Sequence, residues 1–82
     1  MIVGIHPHAA QRLIEPGATE EEVVLTVQAG ERFPAKRGRT GFRRNFAYNR
    51  VWRGRACATK QVEVIGVPED GWLVITVLVK LF

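Results

Sequence analysis

A chain of 82 residues with net charge +4, of which 46% are hydrophobic and 24% charged, suits one small domain spanning 1–82. It excludes both a deep enclosed cavity and a disordered tail. A single cysteine, Cys57, excludes an internal disulfide framework and points to a reducing, cytoplasmic setting.

The first residues lack a basic region followed by an apolar stretch of signal-peptide length, so secretion by that route is not expected. The stretch His6-Pro7-His8 opens the first predicted helix. Pro7 fits its first position, where the missing N–H has no partner to lose. That helix runs to about Glu15, with Ala9, Ala10, Leu13 and Ile14 on one apolar stripe and His8, Gln11, Arg12 and Glu15 on the polar side. Pro16 and Gly17 end it. Thr19 followed three residues later by Glu22 is a capping box, and the glutamates between favour the positive end of a helix dipole. A second helix is predicted over Glu20 to Ala29, with Val23, Val24 and Val27 inward and Gly30 as its stop.

After Glu31 the period changes. Phe33 to Gly41 reads as a loop. Phe42, Arg44, Phe46 and Tyr48 then alternate with Arg43, Asn45 and Ala47 as in a strand. Asn49 and Arg50 suggest a turn, Val51 to Cys57 is ambiguous, and Gly54 marks a bulge or turn. Gln61 to Val67 is a clearer strand. Pro68 to Gly71 is a turn, and Trp72 to Phe82 is a strand apolar on both faces, which predicts a central place in a sheet. The apolar run Gly71 to Val79 has about half the length a membrane-spanning helix needs. The fold class expected is α+β: two short N-terminal helices packed on an antiparallel sheet of three or four strands.

The charge is segregated. Ten basic residues (Arg32, Lys36, Arg37, Arg39, Arg43, Arg44, Arg50, Arg53, Arg55 and Lys60) lie between Arg32 and Lys60 with no acidic residue among them, and all eight acids lie outside. Such a stretch makes a positive field that attracts polyanions, and arginine, eight of the ten, has the planar fork that suits phosphate. Lys36, Arg37, Arg39, Arg43, Arg44, Arg50, Arg53 and Arg55 are the expected nucleic-acid contacts. Among the aromatic residues, Phe42 and Phe46 fit a core, while Tyr48 and Trp52 are better placed to stack on unpaired bases.

Two histidines fall short of the three protein ligands a zinc site needs, so no metal is expected; no P-loop, dinucleotide fingerprint or serine elbow is present, so no cofactor is expected either. Metal-free cleavage of RNA needs a base, an acid and cations on the phosphate. At i and i+4 of the first helix, His8 and Arg12 can converge on one phosphate. Otherwise His6 caps that helix and His8 is simply solvated. Cys57 has cations near it in sequence but no partner that would make it a nucleophile.

The order His8-Ala9, Arg12-Leu13, Gly17, then Thr19 to Val23, a basic strand and the terminal run Val74 to Val77 resembles a family of small uncharacterised bacterial domains. That family is similar to the ribonuclease-toxin fold shared by barnase, EndoU, colicin-type nucleases and RelE. The resemblance spans nearly the whole chain. It implies a RelE-like ribonuclease-toxin-type protein that binds RNA and cleaves phosphodiesters without metal. In that reading His8 is the acid/base, Arg12 and Lys60 hold the phosphate, Thr76 positions it, and an acidic antitoxin-like protein is a partner. Where the family has Arg-Gly after the first helix, this chain has Pro16-Gly17, which removes one phosphate contact. The alternatives are a non-catalytic module whose basic surface binds nucleic acid or an acidic protein, and a purely structural or interaction protein.

Overall fold

The computed structural model describes the backbone of residues 3–10 and 17–82, and every side chain among them except those of His8 and Ala10. The order of elements is β1 (Val3–Ile5), α1 (Pro7–Ala10), α2 (Glu20–Ala29), β2 (Glu31–Pro34), a 3-10 turn (Lys36–Gly38), β3 (Thr40–Trp52), β4 (Arg55–Pro68) and β5 (Trp72–Leu81). The strands form one five-stranded sheet in the order β1-β5-β4-β3-β2. It is mixed: β1 runs parallel to β5, and every other pair is antiparallel.

This corrects the expected fold class of two helices on a three- or four-stranded antiparallel sheet. Strand dominates, and α2 is the single long helix among the described residues. The extra strands have physical causes. β1 is three residues long and contains Gly4, too little for a period-2 signal, and it is held by its pairing with β5. β2 carries a proline at its end, which an edge strand tolerates because one side of its backbone needs no partner. Of the first helix expected over Pro7 to Glu15, Pro7–Ala10 is helical; the rest of that expected span lies outside the described residues.

The second helix has the expected bounds. The Thr19 hydroxyl accepts from the Glu22 N–H at 3.1 Å and the Glu22 carboxylate accepts from the Thr19 N–H at 2.9 Å. Val23, Thr26 and Val27 are its buried residues, and Thr26 meets the cost of burial by donating to the Glu22 carbonyl at 2.7 Å. At Gly30 the chain passes so close to β3 that a Cβ would run into the carbonyl oxygens of Thr26 and Arg43.

α2 packs on β3 and β4, and α1 on β5. Val23 and Val27 meet Phe42, Val62, Val64, Val74 and Val77, with Ala9 and Ala18 closing the core. Register places Phe42 opposite Val64 and Val64 opposite Val77, so one row of buried side chains crosses three strands. The Trp72 ring meets Phe42 edge to face, with centroids 5.0 Å apart. β5 lies inside the sheet, between β1 and β4, as its two apolar faces predict.

β3 and β4 outrun their neighbours. β2 pairs with β3 only as far as Arg43, and the β5 side ends where Thr59 and Phe82 exchange backbone hydrogen bonds of 2.8 and 3.0 Å. Beyond that point residues 47–58 form a two-stranded ribbon, and the molecule measures 40 × 23 × 23 Å. The turn expected at Asn49 is instead a bulge, with Asn49 at φ 50° between the Ala47–Thr59 and Arg50–Cys57 pairs. The true turn is Arg53-Gly54. Both residues have positive φ, 52° and 77°, the requirement of the two-residue turn whose twist matches that of the strands.

Candidate nucleic-acid interface

The basic stretch divides into three groups in space. On the sheet body the cations rest on rings and acids. Arg32 lies over both Phe42 and Trp72, at 5.4 and 5.2 Å from their centroids. The Arg43 guanidinium sits 4.6 Å from the Phe33 ring and 3.9 Å from the Glu63 carboxylate. Arg44 covers Phe46, 5.4 Å away, and Phe46 itself packs against the core as its alternation predicts. Such pairs are worth about 0.5–1 kcal/mol at exposed sites and leave part of each guanidinium open to solvent.

The second group is the ribbon. Arg50, Arg53 and Arg55 are exposed there, while Tyr48 and Trp52 are half-buried. Arg50 lies 5.7 Å from the Tyr48 ring and Arg53 5.4 Å from the Trp52 ring. No carboxylate occurs between Arg32 and Lys60, so nothing within the ribbon neutralises these charges. A hydrophobic residue, Val51, is 68% exposed beside them. A narrow two-stranded ribbon carrying guanidinium groups and rings can follow a nucleic-acid strand, the cations meeting phosphates and the rings meeting bases.

The third group frames a hollow of about 390 Å³ at the other end of the sheet, lined by His6, Arg39, Ile75 and Thr76. His6 follows β1, its N–H donating to the Val74 carbonyl at 2.8 Å. Thr76 pairs with Ile65 beside the irregularity that shifts the β4–β5 register. Arg39 closes the 3-10 turn, whose Lys36 and Arg37 are exposed. Imidazole, guanidinium and hydroxyl thus share one concavity, a set able to bind a phosphate and move a proton.

Of the residues that sequence reasoning grouped as a catalytic set, the structure does not bring Lys60 and Thr76 together. Lys60 stands opposite Leu81 and Thr76 opposite Ile65; five residues separate those rows, about 17 Å along the strand. The Lys60 ammonium also has other partners: the Glu22 carboxylate at 2.7 Å and the Gly17 carbonyl at 3.4 Å. Burial alone would raise the Glu22 pKa, but the Lys60 ammonium and the donors of Thr19 outweigh it and hold the carboxyl below its ordinary value of 4.5. Lys60 therefore ties α2 to β4. Arg12 and the His8 side chain lie outside the described residues.

Sequence reasoning passed over His6 as a site residue in favour of His8, because helical spacing offered His8 a partner and offered His6 none. No local signal marks His6, because the three-residue strand that carries it to the sheet is held by its pairing with β5. No group of three metal-ligating side chains occurs among the described residues, and none of their helices is long and apolar enough to cross a membrane. Compared with protein-family models, curated proteins and solved structures, the chain matches none.

Proposed function

We propose that this protein binds RNA through the β3–β4 ribbon, as a cytoplasmic protein. The observation that supports this best is the ribbon itself: it carries three exposed arginines and two half-buried rings with no acid among them. The remaining arginines of the stretch extend the field toward the body, where they add attraction at long range.

The test is binding of a labelled RNA, read by anisotropy across a salt series. Each phosphate contact on a single strand contributes about 0.7 to the slope of log affinity against log salt. Replacing Arg50, Arg53 and Arg55 together with glutamine should lower that slope by about 2, with only a small fall in the urea midpoint as the exposed Arg55–Leu81 hydrogen bond is lost. A slope equal to that of the unmodified protein would overturn the reading.

A second reading, metal-independent RNA cleavage in the manner of the ribonuclease toxins, is favoured by the hollow that joins His6, Arg39 and Thr76. There the imidazole would take the ribose 2′ proton as the 2′ oxygen attacks phosphorus and the P–5′O bond breaks, the departing 5′ oxygen taking a proton from solvent, while Arg39 held the phosphate and Thr76 positioned it; His8 and Arg12 follow closely in sequence. An acidic antitoxin-like protein would be a natural partner for the same cations. Cleavage in excess chelator that vanishes in His6→Ala with RNA binding retained would support this reading. Intact RNA under those conditions would remove it and leave the binding module.

A further inference from the structure

The ribbon meets the body at a corner. Where β5 ends against β4, Trp52, Arg55 and Cys57 of the ribbon face Lys80 and Leu81 of β5 around a hollow of about 460 Å³. Its shape is held by two contacts. Arg55 Nη2 donates to the Leu81 carbonyl at 3.4 Å, bridging the ribbon to the end of β5. The Cys57 thiol, only 3% exposed, donates to the Arg55 carbonyl at 3.7 Å. Arg53 also lines the hollow, its guanidinium 5.4 Å from the centroid of the Trp52 ring. No acidic side chain contributes to the wall.

These features specify a ligand that is flat and aromatic in one part and anionic in another. The indole forms part of the wall with Arg53 over its ring, Val79 and Leu81 add an apolar flank, and Arg53, Arg55 and Lys80 are the basic residues of the lining, the Lys80 ammonium lying 5.9 Å from the centroid of the Phe82 ring. We infer that the hollow is a slot for one unpaired nucleobase of an RNA strand, stacked on Trp52 with its flanking phosphates on Arg53 and Lys80. A base can present its face to the indole only when it is out of a duplex stack, so the slot selects single-stranded over double-stranded RNA. It does so with little regard for base identity, since every base has a π face. Lys80 gains a role that its position, twenty residues beyond the basic stretch, does not suggest. The inference rests on the RNA-binding reading and adds the form of RNA that is bound.

The experiment compares a labelled single-stranded oligouridine with a hairpin duplex of equal length at one salt concentration. The single strand should bind at least tenfold tighter. Trp52→Leu should weaken single-strand binding roughly tenfold or more, as loss of one base–aromatic stack does, and leave duplex binding unchanged. Trp52→Tyr should restore most of the loss, and Lys80→Gln should lower the salt slope by about 0.7. If Trp52→Leu binds the single strand as well as the unmodified protein does, while the triple arginine variant has lost it, the slot is wrong and RNA binding stands. If neither RNA is bound, both fall. A urea midpoint shared by the Trp52 variants shows that the fold is intact; should it move, Lys80→Gln, exposed on β5, carries the decision instead.

Discussion

The sheet body and the ribbon use the same residue types to different ends. In the body a cation is a structural part: Arg32 lies across Phe42 and Trp72, Arg43 between a ring and Glu63, and Lys60 against Glu22. In the ribbon, Arg50 and Arg53 lie on rings and Arg55 on the Leu81 carbonyl, and the backbone beneath them has neighbours on neither outer edge among the described residues. A run of basic residues along a chain is therefore not one basic patch in space. Glu63 and Glu22 bring carboxylates to Arg43 and Lys60 of the body, and Arg32 lies across two rings of the core edge, whereas the ribbon arginines stand on a two-stranded segment that contains no acid.

That contrast can be broken first at the core. Phe42 is fully buried, meets Trp72 edge to face and supports Arg32 from beneath. Phe42→Ala should cost about 3–5 kcal/mol in urea unfolding, a large part of a small domain's stability. The ribbon draws nothing from that ring, so RNA affinity of the molecules that remain folded should stay as it was. A loss of affinity beyond the loss of folded protein would show that body and ribbon are one unit.

A smaller effect sharpens the assignment of Lys60. The Glu22 carboxyl has its pKa depressed on folding, so the stability it confers is fully present above about pH 4.5, its ordinary value, and is lost as pH falls through the lower folded value. Glu22→Gln should destabilise by roughly 1–2 kcal/mol at neutral pH, since it leaves a largely buried ammonium without its anion. Stability followed downward in pH should show the two proteins converging. Parallel curves would mean that Lys60 is not held by Glu22, and would return it to the pool of cations open to phosphate.

How far the sequence could be read depended on how local each signal is. The capping box at Thr19 and Glu22, the stop at Gly30 and the strand character of β5 each follow from residues within a few positions of one another, and each is as the pattern predicts. What was hidden depends on distant pairing. Three residues at Val3–Ile5 become a strand only because β5 offers a parallel edge, and Asn49 reads as a turn until Ala58 and its neighbours are known to lie opposite it. The same limit applies to the candidate sites. The arginines of the ribbon were legible as a charged run, but that Lys80 joins Trp52, or that His6 joins Arg39 and Thr76, is a fact of register. Lys60 is the converse case: its charge was legible, and the carboxylate that occupies it, 38 positions earlier in the chain, was not.

The smallest expected effect tests the ribbon's independence most directly. Val51 lies opposite Ala56, is 68% exposed and belongs to no core cluster. A valine so placed contributes its β-branched preference for extended backbone and little burial. Val51→Thr keeps the branching and removes the apolar methyl, so the urea midpoint should correspond to a change within about 0.5 kcal/mol. RNA affinity should be equally insensitive, because the rings and guanidinium groups that would meet the strand lie on other residues. A destabilisation well above 1 kcal/mol would mean that this face of the ribbon is covered in solution, by a second copy or by the body. In that case the exposure of Arg50, Arg53 and Arg55 would itself have to be reconsidered, since they share the two strands that carry Val51.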